Sequence, residues 1–536
     1  MKILVGAIPG PNGPGWVNYW PVGPLEEPHV VINAKSADTP ADMPIIYQSS
    51  SPTYAPRGAG KLLCTRNAVT NSNSSSTDAA NISQRPITAN VVVLKRLLAV
   101  SLLALVAGTW KLWTPQTVFP QIPLLRFACN LPGWCDWVCL SALIIASFML
   151  LVFAKNRRVS RVATGVISVS LAGFFVLNQH RLQPWAWQFF LLSILLTLAD
   201  DTTVRKAWIW LAISIYFWSA ISKMDYSFFN GLGPALLGGL KQAAGLQGGE
   251  NPWTRTFDVC GAMLFVAGEF GVAVLLMYSR TRWLGLWGAI GMHLTLLAAL
   301  GPFGLNHSPG VLLWNLYFIA QDWFLFRPVG KNNSIDAETR SPSTISRLMF
   351  LCWPAGRANR VATIVILAAI GWPSLESIGR CDHWLAWSVY SARPHQAILR
   401  SALPFDCKPL QIPYYEETVW DLYAPDEPNA SIHHTSRILN IFQWSRDQLS
   451  VPVYPQARFY VGIARALASE HQLQGELELI PVAARWNGER PEGVGLHTQV
   501  DPSLPDELEK FSETYFWNTR PRRMPRANAF LKLERM

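Results

Sequence analysis

Residues 216–231 read YFWSAISKMDYSFFNG, and the fold follows from how a lysine comes to sit there. The stretch closes a long apolar run, AWIWLAISIYFWSAIS over Ala207–Ser222, then crosses Lys223 into an aromatic segment punctuated by Gly231. Ala212, Tyr216, Ser219 and Lys223 are spaced four, three and four apart, so on a helix they share one face. That face is small and polar, while the others carry Trp, Ile, Leu and Phe. A helix in lipid turns such a stripe toward protein. The plain alternative is a lysine that snorkels from a helix end to the interface.

The bulk composition agrees with a membrane setting. Of 536 residues, 50% are hydrophobic and only 15% charged, against about 25% charged in soluble domains. The net charge of +10 sits at helix ends, with no basic helix interleaved with aromatics, which sets nucleic acid aside. Eight cysteines without paired Cys-x-x-Cys motifs argue against a zinc or haem site, and no metal is expected.

Residues 1–92, rich in Pro, Gly, Ser, Asn and Thr, read as a disordered N-terminal tail, or as sequence upstream of the true start codon. Apolar runs then recur over Leu97–Trp110, Trp134–Ala154, Val162–Leu177, Trp185–Leu198, Ala207–Ser222, Phe257–Tyr278, Trp283–Leu300, Val311–Phe326 and Val361–Trp372. The expected fold is an all-α polytopic membrane bundle of about nine transmembrane helices with a C-terminal soluble α+β domain. The bundle occupies 93–326, a cytoplasmic loop 327–360, the last span 361–376 and the soluble domain 377–536. One set of connections carries sixteen basic residues, among them Lys155, Arg157, Arg158 and Arg161, and the alternate set only six. That asymmetry predicts a cytoplasmic N-terminus and an exoplasmic C-terminal domain in a plasma or inner membrane. No internal repeat argues for an inverted-repeat transporter.

Two further residues stand out inside the spans. Glu269 lies mid-span in AMLFVAGEFGVAVLL, beside Gly268 and Gly271. An intramembrane carboxylate marks a functional site or a packing partner. Gly285, Ala289 and His293 run down one small stripe of the next span, a geometry that admits a close neighbour. For His293 the bland reading is a structural hydrogen-bonder. Lys223, Glu269 and His293 are expected to share one pocket opening toward the outer leaflet.

Tyr-Phe, small residues, Lys223-Met224-Asp225, an aromatic and Gly231 resemble the signature of the vitamin K-dependent gamma-carboxylases. Their wider kin are the horizontally transferred transmembrane (HTTM) proteins. The resemblance runs from Leu94 to Phe326. It implies Lys223 as catalytic base, with Glu269 and His293 beside it. It also implies a site for a reduced vitamin K-type quinone formed by Tyr216, Ser219, Asp225, His180, Arg181 and Asn306. His180 and Arg181 fall in LNQHRLQPWAWQ (Leu177–Gln188) and Asn306 in LGPFGLNHSPGVLLWN (Leu300–Asn315), two loops similar to the family's bacterial-type branch. Helix capping is the bland reading of both loops. Pro184-Trp185 stands where the carboxylase branch is expected to carry Asn-His.

The C-terminal part mixes a strand (Gly475–Ala483) with helices over Ala457–Gln472 and Pro505–Trp517. Cys381 and Cys407 both fall outside the membrane in this topology and are candidates to pair. Three functions stay open. One is a quinol-linked, carboxylase-like enzyme (a carbon-carbon lyase) using O2 and CO2 on a polypeptide substrate. A second is a non-catalytic module whose outer domain binds a partner. The third is a small-molecule or proton pathway.

Overall fold

The computed structural model describes residues 75–246, 252–327, 356–378 and, apart from a few positions, 380–402, 410–421, 432–480, 498–500 and 509–522. The bundle helices are α1 (Ser75–Gly108), α2 (Trp134–Phe153), α3 (Arg157–Leu177), α4 (Pro184–Leu198), α5 (Asp201–Ser222), α6 (Gly233–Ala243), α7 (Pro252–Met277), α8 (Arg282–Leu300), α9 (Pro309–Phe326) and α10 (Arg357–Gly371). Every apolar run of the sequence falls on one of them, and α6 has no counterpart among those runs. α1 begins 18 residues before the expected bundle boundary at 93, within the stretch read as tail. Residues 1–74 and most of the 327–360 loop lie outside the described residues.

Local chemistry sets the helix ends. Asn156 accepts from the Arg158 and Val159 N–H groups at the start of α3, and Asp200 accepts from Thr203 N–H at the start of α5. Both satisfy donors that a helix leaves orphaned. Pro184 opens α4 at the first turn, where its missing N–H costs nothing.

Among the described residues, six helices are long and apolar enough to cross a membrane: Ala89–Gly108 of α1, α2, α3, Thr256–Met277 of α7, α8, and Arg357–Glu376, which extends α10. The remaining three apolar runs fall short for a physical reason. α4 has only 15 residues; α5 opens on Asp201, Arg205 and Lys206; α9 carries Asn315, Gln321 and Asp322. These three also bury much of their surface against other helices. By contrast α2 exposes Trp134, Val138, Ile145, Phe148 and Val152, and α7 exposes Leu264 to 73%. Continuous apolar faces of that kind are compatible with a lipid bilayer.

The α7–α8 contact is close at Gly285, where a Cβ would lie 2.8 Å from Leu276 N. Ala289 and His293, further along the same stripe, are buried. Gly268 and Gly271 beside Glu269 have open space where a Cβ would stand, so they make no such contact.

Beyond α10 come five strands, β1 (Gln396–Ala402), β2 (Tyr414–Asp421), β3 (Ile432–Leu439), β4 (Gly475–Ile480) and β5 (Thr498–Val500), with α11 (Ile441–Leu449) and α12 (Ala457–His471). All pairs are antiparallel, in the order β2-β3-β1-β4-β5. Leu399 pairs with Leu439 on one side and Leu477 on the other. Of the helix expected over Pro505–Trp517, Glu509 and Ser512 are helical, residues 513–517 turn and bend, and the rest lies outside the described residues, as does Cys407. This part does not merely rest on the bundle. Trp444, Tyr454 and Phe459 belong to the same apolar core as Phe119, Ile122 and Trp185, so burial joins the two.

Candidate functional site

Lys223 is the C-cap of α5, directly after Ser222, and its ammonium turns into the bundle, not toward the surface. The side chain is 2% exposed. Nζ donates to Ser219 Oγ at 2.6 Å, Glu269 Oε2 at 2.8 Å and Ser219 O at 3.1 Å. Three donors thus meet three acceptors, which is what a buried ammonium requires. Ser219 is one turn below Lys223 on the same face, and Glu269 arrives from α7. A shallow apolar cleft lined by Phe228, Leu236, Phe265, Leu296 and Ala299 lies between α6, α7 and α8, with about 10 Å³ of enclosed space. Phe265 is one turn from Glu269.

Past Lys223 the chain is held by the segment after α10. Asp225 Oδ1 accepts from Phe228 N–H at 2.8 Å and starts a π-helical turn over Phe228–Leu232, an irregularity frequent at functional sites. Arg393 donates to the Ile221 carbonyl at 3.1 Å, pairs with Glu376 at 2.6 Å, and lies 3.9 Å from Asp225 Oδ2. Ser391 donates to the Ser222 carbonyl at 2.9 Å. A cation and a hydroxyl therefore complete carbonyls left open at the C-terminus of α5. Burial pushes the Asp225 carboxyl up to about 6, against the pull of Phe228 N–H and Arg393. Glu376 also faces His383 Nδ1 at 2.9 Å.

Tyr216 and His293 meet, but in a second cluster. Tyr216 OH lies 2.7 Å from His293 Nε2 and donates to Asp322 Oδ2. His293 Nδ1 is 2.8 Å from Asn315 Oδ1, and Asn315 Nδ2 donates to Val311 O at 2.9 Å. The imidazole stacks on Phe318 at 4.8 Å. Further along, Gln321 Oε1 accepts from Trp208 Nε1 at 2.8 Å and from Gln188 Nε2 at 3.0 Å. Lys223, Glu269 and Ser219 thus come together, and Tyr216 and His293 come together one turn away along α5. The single three-residue pocket divides into two adjoining clusters, because Glu269 pairs with Lys223 while His293 turns to α5 and α9.

The loop residues are elsewhere. His180 Nε2 faces Pro452 O at 3.0 Å and Ser445 Oγ at 3.2 Å, between the rings of Phe119 and Phe459. Burial pushes its pKa down to about 4. Arg181 pairs with Asp136 at 2.5 Å and donates to the Leu112 and Thr114 carbonyls at 2.8 and 3.0 Å. Asp136 also pairs with Arg522 at 2.7 Å. Asn306 is exposed, with φ +45°, and its carbonyl accepts from Arg446. His180 braces the junction with the C-terminal part through its side chain and Asn306 through its carbonyl, Arg181 is held within the bundle by Asp136, and none of the three touches the Lys223 cluster.

Asp322, Asn315, Glu376 and Arg393 were not foreseen. Asn315 and Asp322 are seven apart, two turns on one face, inside the apolar run Val311–Phe326. That spacing was the available signal. The Arg393 contact spans a sequence separation of 172, which no local pattern reveals. None of the known protein families, curated proteins or solved structures to which the chain was compared matches it.

Proposed function

We infer that this membrane protein is a quinol-linked enzyme of the gamma-carboxylase-like, HTTM type, in which Lys223 is the base. The observation that carries the reading is a lysine inside the bundle, held among the described residues by Ser219 and by the Glu269 carboxylate. Burying such a pair is costly unless something is gained by it. A proton moved from Nζ to Glu269 along their 2.8 Å hydrogen bond leaves a neutral amine beside a neutral acid. The net charge of the site is then unchanged, and the amine is free to take a proton from a ligand. Ser219 keeps the amine oriented in both states.

The aromatic and aliphatic lining of the apolar cleft has the chemistry an isoprenoid quinone needs, and with about 10 Å³ enclosed the cleft would have to widen between α6, α7 and α8 to take the ring. A reduced vitamin K-type quinone would supply, with O2, the strong base that carboxylation of a substrate glutamate by CO2 needs. This chain's residues would bind the ring along Phe228 and Phe265, hold Lys223 at the ring's hydroxyl, and exclude water at the π-helical turn. On the same reading α4, α5 and α9 complete a nine-helix bundle in a plasma or inner membrane. The N-terminus is then cytoplasmic, and the exoplasmic C-terminal part presents a polypeptide substrate.

A second reading has one observation in its favour: Lys223 and Glu269 satisfy each other, as a purely structural brace would. The two part on one experiment. Lys223→Met combined with Glu269→Leu removes both charges and keeps the apolar volume, so this double variant should fold and insert. If it also retains every quinol-dependent activity of the wild type, the brace is the answer.

A further inference from the structure

Hydrogen-bond counting in the second cluster gives a result that does not depend on Lys223. Asn315 Nδ2 is fixed by the Val311 carbonyl at 2.9 Å, because the flipped amide would set oxygen against oxygen. Asn315 Oδ1 therefore faces His293 Nδ1 at 2.8 Å as an acceptor, and Nδ1 must carry a proton. What remains is a row of three atoms, His293 Nε2, Tyr216 OH and Asp322 Oδ2, joined by two contacts at hydrogen-bond length. Two hydrogen bonds need two protons, and the phenol supplies one. The second must sit on Nε2, giving an imidazolium beside an aspartate, or on Asp322, giving a neutral imidazole beside a carboxylic acid. Without it, one contact would oppose lone pair to lone pair.

Both arrangements have zero net charge, which is what complete burial asks of His293, Tyr216 and Asp322. They interconvert by two short hops: Nε2–H passes to the phenol oxygen as the phenol proton passes to Asp322 Oδ2. No atom beyond the two protons moves, and no charge leaves the cluster. The groups in contact with it are Asn315 and Phe318 of α9 and, against Asp322, Gln321 Nε2 at 3.5 Å, none of which can give or take a proton. Two titratable groups lie within electrostatic reach, Glu269 of Tyr216 and Tyr317 of Asp322, and Glu269 is held by Lys223. We propose that His293, Tyr216 and Asp322 form a buried proton store, a second proton-transfer site that holds one proton within the bundle and passes it through Tyr216. Asp322, not His293 alone, is the residue that makes it a store.

The test is spectroscopic and uses the whole protein in liposomes at neutral pH. Protein with 13C-labelled aspartate and 15N-labelled histidine is read by infrared and solid-state NMR, in wild type and in Asp322→Asn. The store predicts either a protonated aspartate carbonyl band or a doubly protonated imidazole in the wild type, lost in Asp322→Asn. A singly protonated histidine with every aspartate ionised overturns it. So does an imidazolium or a protonated aspartate that persists in Asp322→Asn with no other signal lost. The wild-type spectrum alone decides the proton count if the variant fails to fold. Loss of quinol-dependent activity plays no part in the result, so the two proposals fail separately.

Discussion

Breaking the Lys223–Glu269 pair from one side should cost far more than removing it whole. Lys223 is 2% exposed and Glu269 6%, so neither charge has water to fall back on. Lys223→Met leaves the carboxylate buried and unpaired, and Glu269→Leu leaves the ammonium with Ser219 alone. Each single change should destabilise by about 3–5 kcal/mol, the cost of an uncompensated buried charge. The double variant removes both charges and replaces them with apolar volume, so it should return to wild-type stability or exceed it. The assay is reversible unfolding by sodium dodecyl sulfate in dodecyl maltoside micelles, read as a double-mutant cycle. If the single variants cost under about 1 kcal/mol, the pair behaves as a solvated surface bridge and the burial argument fails. If the double variant costs the sum of the singles, the losses come from packing and not from charge.

Stability should fall on acidification through His180. Its folded pKa is pushed down to about 4 from an ordinary 6.5, so between those values the unfolded chain binds the extra proton and is favoured. The stabilisation is complete above pH 6.5 and is lost toward pH 4, to a total of about 3 kcal/mol. His180→Gln can still donate to the Pro452 carbonyl and should flatten that slope, whereas an unchanged slope would place the effect elsewhere. Gly285→Val should wedge α7 from α8 and cost about 1–3 kcal/mol by overpacking, since the added Cβ meets backbone at 2.8 Å; an unchanged thermal transition would mean the helices part freely. A topology reporter fused after Met536 should behave as exoplasmic and one inserted between 328 and 355 as cytoplasmic, and the reverse at both would overturn the charge-based orientation.

Nine of the ten bundle helices were legible in the sequence because each carries an apolar run, whereas α6 is too short and glycine-rich to stand out, and the lysine face was legible because Tyr216, Ser219 and Lys223 share a helical period. The pairing of Lys223 with Glu269 was legible only as an expectation that polar residues in adjacent spans seek each other. What periodicity could not give was partner choice. His293 turns to Tyr216, which holds Asp322, and not to Lys223, because Asn315 fixes its ring from the other side. His180 and Arg181 looked like a ring of polar groups at a mouth. Their partners, Pro452 and Ser445 for one and Asp136 for the other, lie far along the chain, and long-range contacts leave no local pattern.

The most direct measurement of the central claim is mass spectrometry of the lipids retained by protein purified from native membranes, for the wild type and for Leu296→Trp, which would block the apolar cleft lined by Phe228 and Phe265. The quinol-linked reading predicts an isoprenoid quinone in stoichiometric amount with the wild type and its loss from the variant. Phospholipids alone in both samples would contradict it.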